Sequence, residues 1–431
     1  MPELTSDQEK LLFDLQSDAF KYFVREVDPD TGLVVDCTKE GWPSSIAAVG
    51  MALSCYPVGV ERNWISRDDA IERTLRTLRF FAHSEQSSKS DATGYKGFYY
   101  HFLEMKTGKR AWECEISTID STFLFAGMLV AAAYFDRDSQ PEAEIRRLAD
   151  QLYQRADWQW ATAGGATLSH GWRPETGFLK DRWDGYDEGL LADILALGSP
   201  TFPVPLESYT ADVAAYTWKK VYDYEYLYAG PLFIHQFSHI WIDFREIQDA
   251  FMRDHDLDYF ENSRRATYVQ REYARQNPHG FKGYSDVCWG LTACEGPGPK
   301  ELSIDGVQRV FYDYIARGAP DGPDDGTLAP WAVVASLPFA PEIVLPALEH
   351  FNKMEVGADH PYGLRATFNP TFPSEKSGGG GWVSPWHYGI NEGPIVLMIE
   401  NYRTNFIWRL MRACPYIIGG LRRAGFTGPW L

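Results

Sequence analysis

Helix-length apolar periodicity recurs about a dozen times along this chain, and that recurrence limits its fold more than any other feature. Residues 6–27 open the series, with Leu11, Leu12, Leu15, Phe20 and Phe23 at helical spacing behind a Thr-Ser-Asp start signal. Helical patterns follow over 44–55, 66–83, 117–134, 142–155, 187–197, 208–221, 235–252, 259–276, 330–336, 341–353 and 392–423. Helices with one apolar face bury it against a partner, so a dozen of them in pairs suit an (α/α)6 barrel. The alternative is an irregular helical assembly. Between the helices, residues 96–112 alternate around a turn at 106–109, and 167–179 alternate around 174–177. Both predict hairpins in the loops at the active-site face of a mostly α fold. The Gly- and Pro-rich stretches 296–300, 318–326 and 377–381 read as loops. None separates regions of different composition, so 1–431 is expected to be one catalytic domain.

Composition narrows the function classes. A formal charge of −18 argues against nucleic acid or an anionic membrane surface as partner, since both select clustered Lys and Arg. Aromatic residues make up 15% of the chain, more than a core alone requires, which predicts rings lining a cleft. The start Met-Pro-Glu-Leu-Thr-Ser-Asp lacks a basic, then apolar, export signal, and no run reaches the roughly 18 apolar residues of a membrane span. Cys37, Cys55, Cys114, Cys288, Cys294 and Cys414 show no CxxC pair, which points to free thiols in a cytoplasmic protein; Cys288 and Cys294 are the pair that export would join.

The segment 171–191 carries the chemistry. It sets Glu175, Asp181, Asp184, Asp187 and Glu188 among Trp172, Trp183 and Tyr186 ahead of an apolar helix. A carboxyl against apolar rings loses hydration and keeps its proton near neutral pH, which is how a general acid is made. Rings with hydrogen-bonding groups beside them suit a sugar. Glu113, Glu115 and Asp120 form a second acidic group at the start of the helix predicted at 117. Glycoside hydrolysis needs two carboxyls, one protonated and one ionised, and these two loops are placed to supply them across one barrel mouth. Acidic residues also favour helix N-termini for capping and dipole reasons alone.

Among other polar residues, His101, His170, His235, His239 and His387 lie beside aromatics or small residues, as satisfied buried imidazoles do. His101, Tyr95, His235, Gln236, Asp243 and Arg245, together with Gln248, are candidates for binding sugar hydroxyls. Trp382, Trp386, Tyr388, Asn391 and Glu392 follow the Gly-rich stretch as a cleft rim. His235 and His239 have the spacing of a zinc pair without the Glu beside a His that a zinc-protease helix carries, so no metal and no cofactor is expected.

Several motifs together resemble the glucoamylase-like proteins. They are Ser-Ile-Ala-Ala-Val-Gly at 45–50, Tyr-Pro-Val-Gly-Val-Glu-Arg at 56–62 and Gly-Tyr-Lys-Gly-Phe-Tyr-Tyr-His-Phe at 94–102. Glu-Ile-Ser-Thr-Ile-Asp at 115–120, Gly-Tyr-Asp-Glu at 185–188, Ala-Pro-Trp-Ala at 329–332 and Gly-Pro-Ile-Val-Leu-Met-Ile-Glu-Asn-Tyr-Arg at 393–403 extend the likeness over the whole chain. That group is related to the β-1,2-glucanases of glycoside hydrolase family 144 and to the transglycosylase domain of cyclic β-1,2-glucan synthases. The resemblance implies an (α/α)6 barrel that cleaves β-1,2-linked glucan or its oligosaccharides, most often with inversion, despite a family name that evokes starch. It carries the general acid to Glu188 and the second acidic position to Asp120, where relatives often have Glu. That one-methylene shortening leaves Asp120 and Glu115 as base candidates and Glu113 as an alternative. An exo mode on imported oligosaccharides fits the expected location. A β-1,2-glucan transglycosylase using the same site and a non-catalytic sugar-binding protein are the competing readings.

Overall fold

Six helices are buried on every side and six carry a single buried stripe, and this division organises the fold. In the computed structural model, which describes residues 4–354, 356, 360–374 and 381–431, the first set is Ile46–Glu61, Thr118–Tyr134, Leu190–Gly198, Phe237–Trp241, Pro330–Ala335 and Gly389–Thr404. The second set is Ser6–Arg25, Arg67–His83, Gln140–Gln154, Tyr259–Gln276, Pro341–Lys353 and Pro415–Arg423. A helix apolar all round must sit inside, and one with a polar back must face water. The result is an inner ring clad by an outer ring, the helical barrel expected.

The inner helices follow one another around the ring. Ile46–Glu61 packs on both Thr118–Tyr134 and Gly389–Thr404, which in turn packs on Pro330–Ala335. Thr118–Tyr134 also packs on Leu190–Gly198, and the Ser238 hydroxyl, which accepts from Leu191 N at 3.1 Å, and Gln236, which donates to Ala332 O at 2.6 Å, tie the last two pairs of neighbours. The first contact depends on glycine. A Cβ on Gly50 would lie 2.2 Å from Phe123 O, and one on Gly127 would lie 2.1 Å from Gly50 O, so a side chain at either position forces the two helices apart.

Several helix expectations are corrected at their edges. The segment 187–197 becomes helical only from Leu190, leaving Asp187 and Glu188 in the turn ahead of it. Within 208–221, helix gives way to the strand Trp218–Val221. The segment 235–252 breaks after Trp241 and resumes at Ala250. The segment 392–423 divides at Asn405, whose φ of 54° ends one helix, and again at Pro415.

The hairpin expected over 167–179 forms, pairing Gly171–Arg173 with Gly177–Phe178. Residues 96–112 do turn at 106–109, with Leu103 bridged to Arg110, but Phe98–Tyr100 pairs with Gly94–Tyr95 and Ile116–Ser117 instead. The resulting five-stranded antiparallel sheet runs straight into Thr118–Tyr134. A further hairpin, Lys300–Ile304 with Val307–Phe311, adjoins the expected loop 296–300. The 377–381 loop lies outside the described residues except for Gly381, as do residues 1–3. All six cysteines are buried and free, and no described helix is long and apolar enough to cross a membrane.

Candidate active site

The first turns of the inner helices converge on one cavity of about 230 Å³. Ile119, Asp120 and Phe123 of one helix, Phe237 and Trp331 of two others, and Ile390 and Asn391 of a fourth line it, with Glu188 and Tyr388 from the residues just before two of them. The sixth begins with Ile46 N on the carbonyl of His101, itself a lining residue. Helix N-termini carry partial positive charge, which favours the carboxylates gathered there.

Three carboxyls reach this cavity, each in a different setting. Glu188 stands half-buried in the turn before Leu190–Gly198, with its backbone carbonyl accepting from Ser238 Oγ at 3.3 Å. Burial first, and then the neighbouring Asp187, hold its carboxyl well above the usual carboxylate range. Asp120 is buried in the first turn of Thr118–Tyr134. Its backbone N–H is capped by Ser117 Oγ at 3.1 Å, and the same hydroxyl donates to Asp120 Oδ2 at 2.5 Å. His101 Nε2 faces that oxygen at 3.5 Å while its Nδ1 meets Glu115 Oε1 at 3.0 Å. Burial alone would lower the His101 pKa, but Asp120, Glu115 and Asp36 together raise it to about 9, so the ring is an imidazolium at neutral pH. Burial works against the Glu115 charge too, yet the His101 hydrogen bond and charge, with Arg173 beyond, pull its pKa down to about 2. Asp36, held by Trp42 Nε1 at 3.1 Å, is raised by burial to about 6.

Glu295 is the third carboxyl. Tyr388 Oη donates to its Oε2 at 2.5 Å and Ser384 Oγ donates to its Oε1, while burial raises its pKa. Sequence reasoning passed over Glu295 because it stands at the edge of a Gly-Pro stretch read as loop. A single acid following the apolar run Trp289–Cys294 was the available signal.

Of the predicted site and rim residues, Glu188, Asp120, His101, Tyr388 and Asn391 meet at the cavity. Glu115 lies behind His101, and Glu113 is exposed on a turn where its carbonyl accepts from Arg110. The rings beside Glu188 also differ from expectation. Phe123, Phe233, Phe237, Trp331 and Tyr314 line the cavity with it, whereas Trp183, Tyr186 and Trp172 do not. Trp183 is buried with Nε1 on Thr118 Oγ1 at 2.9 Å and His170 stacked on it, so it seats the Glu188 turn against the neighbouring helix. Tyr186 packs between His235 and Tyr259. Trp172 and Tyr95 of the sheet meet at 5.0 Å in a tilted contact, and each meets Trp160 of the short helix Trp158–Ala161 edge-on.

His235, Gln236, Asp243 and Arg245 are structural, because the break at Trp241 turns them into the packing between rings. His235 Nε2 is on Ala229 O at 3.1 Å, and burial lowers its pKa to about 4. Gln236 is spent on Ala332 and Ser336. Asp243 pairs with Arg245 at 2.6 Å and Arg412 at 2.5 Å. Trp382 lies in a strand paired to Phe368–Asn369, and Trp386 sits beside Ser384 of the Glu295 shell. No group of three or more His, Cys, Asp or Glu among the described residues is arranged to hold a metal ion.

A second buried network supports the far wall. Arg317, fully buried, pairs with Asp325 (Nε to Oδ1, 2.8 Å) and donates to Cys294 O at 2.6 Å, Tyr312 O at 3.2 Å and Asp313 O at 3.1 Å. Asp325 Oδ2 accepts Tyr312 N at 2.9 Å, and Asn369 Nδ2 donates to Asp325 O. The Arg317–Asp325 pair and its hydrogen bonds therefore join the segments next to Glu295, Tyr314 and the cavity-lining Thr367.

The family model described as "Glycoamylase: Putative glucoamylase" matches residues 180–415, more than half of the chain, taking in Glu188, Glu295 and Asn391. A Bacteroides uniformis structure under the same family designation is 30% identical, with a TM-score of 0.86 over 100% of both chains. An endo-beta-1,2-glucanase from Chitinophaga pinensis, solved with sophorotriose and glucose, is 25% identical with a TM-score of 0.84 over 100% of both. An exo beta-1,2-glucooligosaccharide sophorohydrolase (non-reducing end) of Parabacteroides distasonis is 26% identical over 459 residues, covering 96% of this chain and 58% of the relative's length. With the match running through the acid-bearing turn and into the last inner helix, this chain belongs to the glucoamylase-like family.

Proposed function

We propose that this chain is an inverting glycoside hydrolase that cleaves β-1,2-linked gluco-oligosaccharides from a chain end. The observation that carries the reading is the contrast between two carboxyls in one cavity: Glu188, whose burial favours the protonated form, and Asp120, whose Oδ2 faces a hydroxyl donor and an imidazolium. Environments that differ in this way assign acid and base. Glu188 gives its proton to the glycosidic oxygen as the anomeric carbon–oxygen bond breaks. Asp120 takes a proton from a water whose oxygen bonds to that carbon from the opposite face. Glu115 orients and charges His101 and does not itself meet substrate. Names of relatives that act on β-1,2-glucan support the linkage. The relative described as an exo beta-1,2-glucooligosaccharide sophorohydrolase (non-reducing end) supports cleavage from a chain end. Six buried free thiols support work in the cytoplasm on imported oligosaccharides.

The test is incubation with linear β-1,2-glucan and its oligosaccharides, following products by mass and optical rotation. The proposal expects one short product of α configuration from the earliest time points. Products of random length would replace the exo mode with an endo mode. Chain lengthening without new reducing ends would make the chain a transglycosylase, and no turnover by folded protein would overturn the hydrolase reading.

A further inference from the structure

Tyr314 is the side chain the fold leaves least explained. It lies between the strands Val307–Phe311 and Ile315–Ala316 and lines the cavity with Glu188 and Asp120, yet it is 72% exposed. Its ring stacks on no other ring among the described residues. The backbone beneath it is nevertheless fixed: Arg317 holds the carbonyls of Tyr312 and Asp313, Asp325 holds Tyr312 N, and Ile315 pairs with Cys294. A large ring on a rigid mount at the edge of a cavity lined by rings and carboxyls, in contact with water, is built to be covered by something. Beside two carboxyls set for glycoside chemistry, the matching surface is the C–H face of a sugar ring, whose hydroxyl rim stays hydrated while the faces stack.

We infer, resting on the hydrolase reading above, that Tyr314 is a specificity-determining residue that packs on the glucose unit next to the one held in the cavity. It sets how many linked units the site requires. Arg317 enters only as the support that keeps the ring in place.

The experiment compares the parent with Tyr314→Ala and Tyr314→Phe on β-1,2-linked glucose oligomers of two to five units, with thermal unfolding of each variant as the folding control. Tyr314→Ala is expected to raise KM roughly tenfold on every oligomer long enough to reach the ring, and to raise KM more than it lowers kcat, because stacking is uniform binding. Tyr314→Phe is expected to restore most of the loss, since it keeps the ring. An unchanged KM across the series, or a Phe variant as poor as Ala, overturns the assignment while leaving the hydrolase reading intact. Should the parent itself show no turnover, the hydrolase reading fails, and calorimetric binding of the same oligomers decides the platform. Weaker binding by Tyr314→Ala supports it; equal binding by both proteins, or none by the parent, overturns it.

Discussion

The two walls of the cavity face the same physical problem and solve it in opposite ways. Behind Glu188, Asp187, Asp193 and Asp212 are buried or nearly so; Asp193 and Asp212 are hydrogen-bonded to each other, and no guanidinium or ammonium pairs with either among the described residues. Burial and mutual repulsion push all of these carboxyls upward, and the hydrogen bond between Asp193 and Asp212 is one that two carboxyls make by sharing a proton, so this wall favours protons over a cation. Asp212 still works there as an acceptor, taking Gly185 N at 2.7 Å and anchoring the turn that carries Glu188. Behind Glu295 and Tyr314, Asp325 is neutralised by Arg317, whose hydrogen bond and charge hold it below the usual range against the effect of burial. A buried carboxyl needs a proton or a cation. A wall meant to hold a proton next to a leaving group suits the first solution, and a wall meant to be stiff suits the second.

The strongest attempt to break that contrast is Glu188→Gln. It is expected to lower turnover about 10³-fold with unfolding temperature preserved, as removal of a general acid does. If turnover survives, Glu295 becomes the acid and the walls exchange roles.

Next in size is Arg317→Met, which leaves Asp325 charged and alone. Urea unfolding should show a loss of about 3–5 kcal/mol, the usual consequence of breaking a buried pair. The matching change on the other wall, Asp193→Asn, keeps a side chain of the same shape that can still donate to Asp212, and at neutral pH it should cost no more than about 1 kcal/mol. Equal losses in the two variants would erase the distinction.

A smaller and more diagnostic effect lies in the pH dependence. The protonated wall keeps protons in the folded state that the unfolded chain has released above about pH 4, so stability falls as pH rises from there toward the raised folded values. Asp193→Asn should flatten that slope in denaturation curves taken across pH. Activity should likewise fall at alkaline pH as Glu188 gives up its proton.

His101 supplies a second pH-dependent effect, of opposite location in the site. Its pKa is about 9 folded and about 6.5 unfolded, so its contribution to stability is fully present below about 6.5 and is lost as pH rises through about 9. His101→Gln should remove that part of the slope, and an unchanged slope would mean that the imidazolium is not paired as described.

Much of this molecule was legible before folding, and the unread parts share a cause. The apolar all-round helices and the amphipathic ones differ in their residues alone, as Ala-Ala-Val-Gly-Met-Ala in one and Arg-Arg-Leu-Ala-Asp-Gln in another make plain. Glu188 stood out because a helix start and a dense aromatic neighbourhood coincide there. The rings that share its cavity were misread, since Trp183 and Tyr186 are its sequence neighbours while Phe123, Phe233, Phe237, Trp331 and Tyr314 arrive from other helix starts and one loop. Gln236, Asp243 and Arg245 carry polar groups that suit a site and a core equally; burial decided for Gln236 and Asp243, and the ion pair with Asp243 decided for Arg245.

The order and character of the helices and the two acidic segments are local properties, so the amino-acid sequence by itself determined them. Convergence is not local. That six helix starts, Glu295 and Tyr314 surround one cavity, that His101 bridges Glu115 and Asp120, and that one wall favours protons and the other is neutralised by Arg317 depended on the closing of the ring. Only the tertiary structure decided these features, because desolvation and charge pairing act through distance in space, and residues far apart in the chain set both.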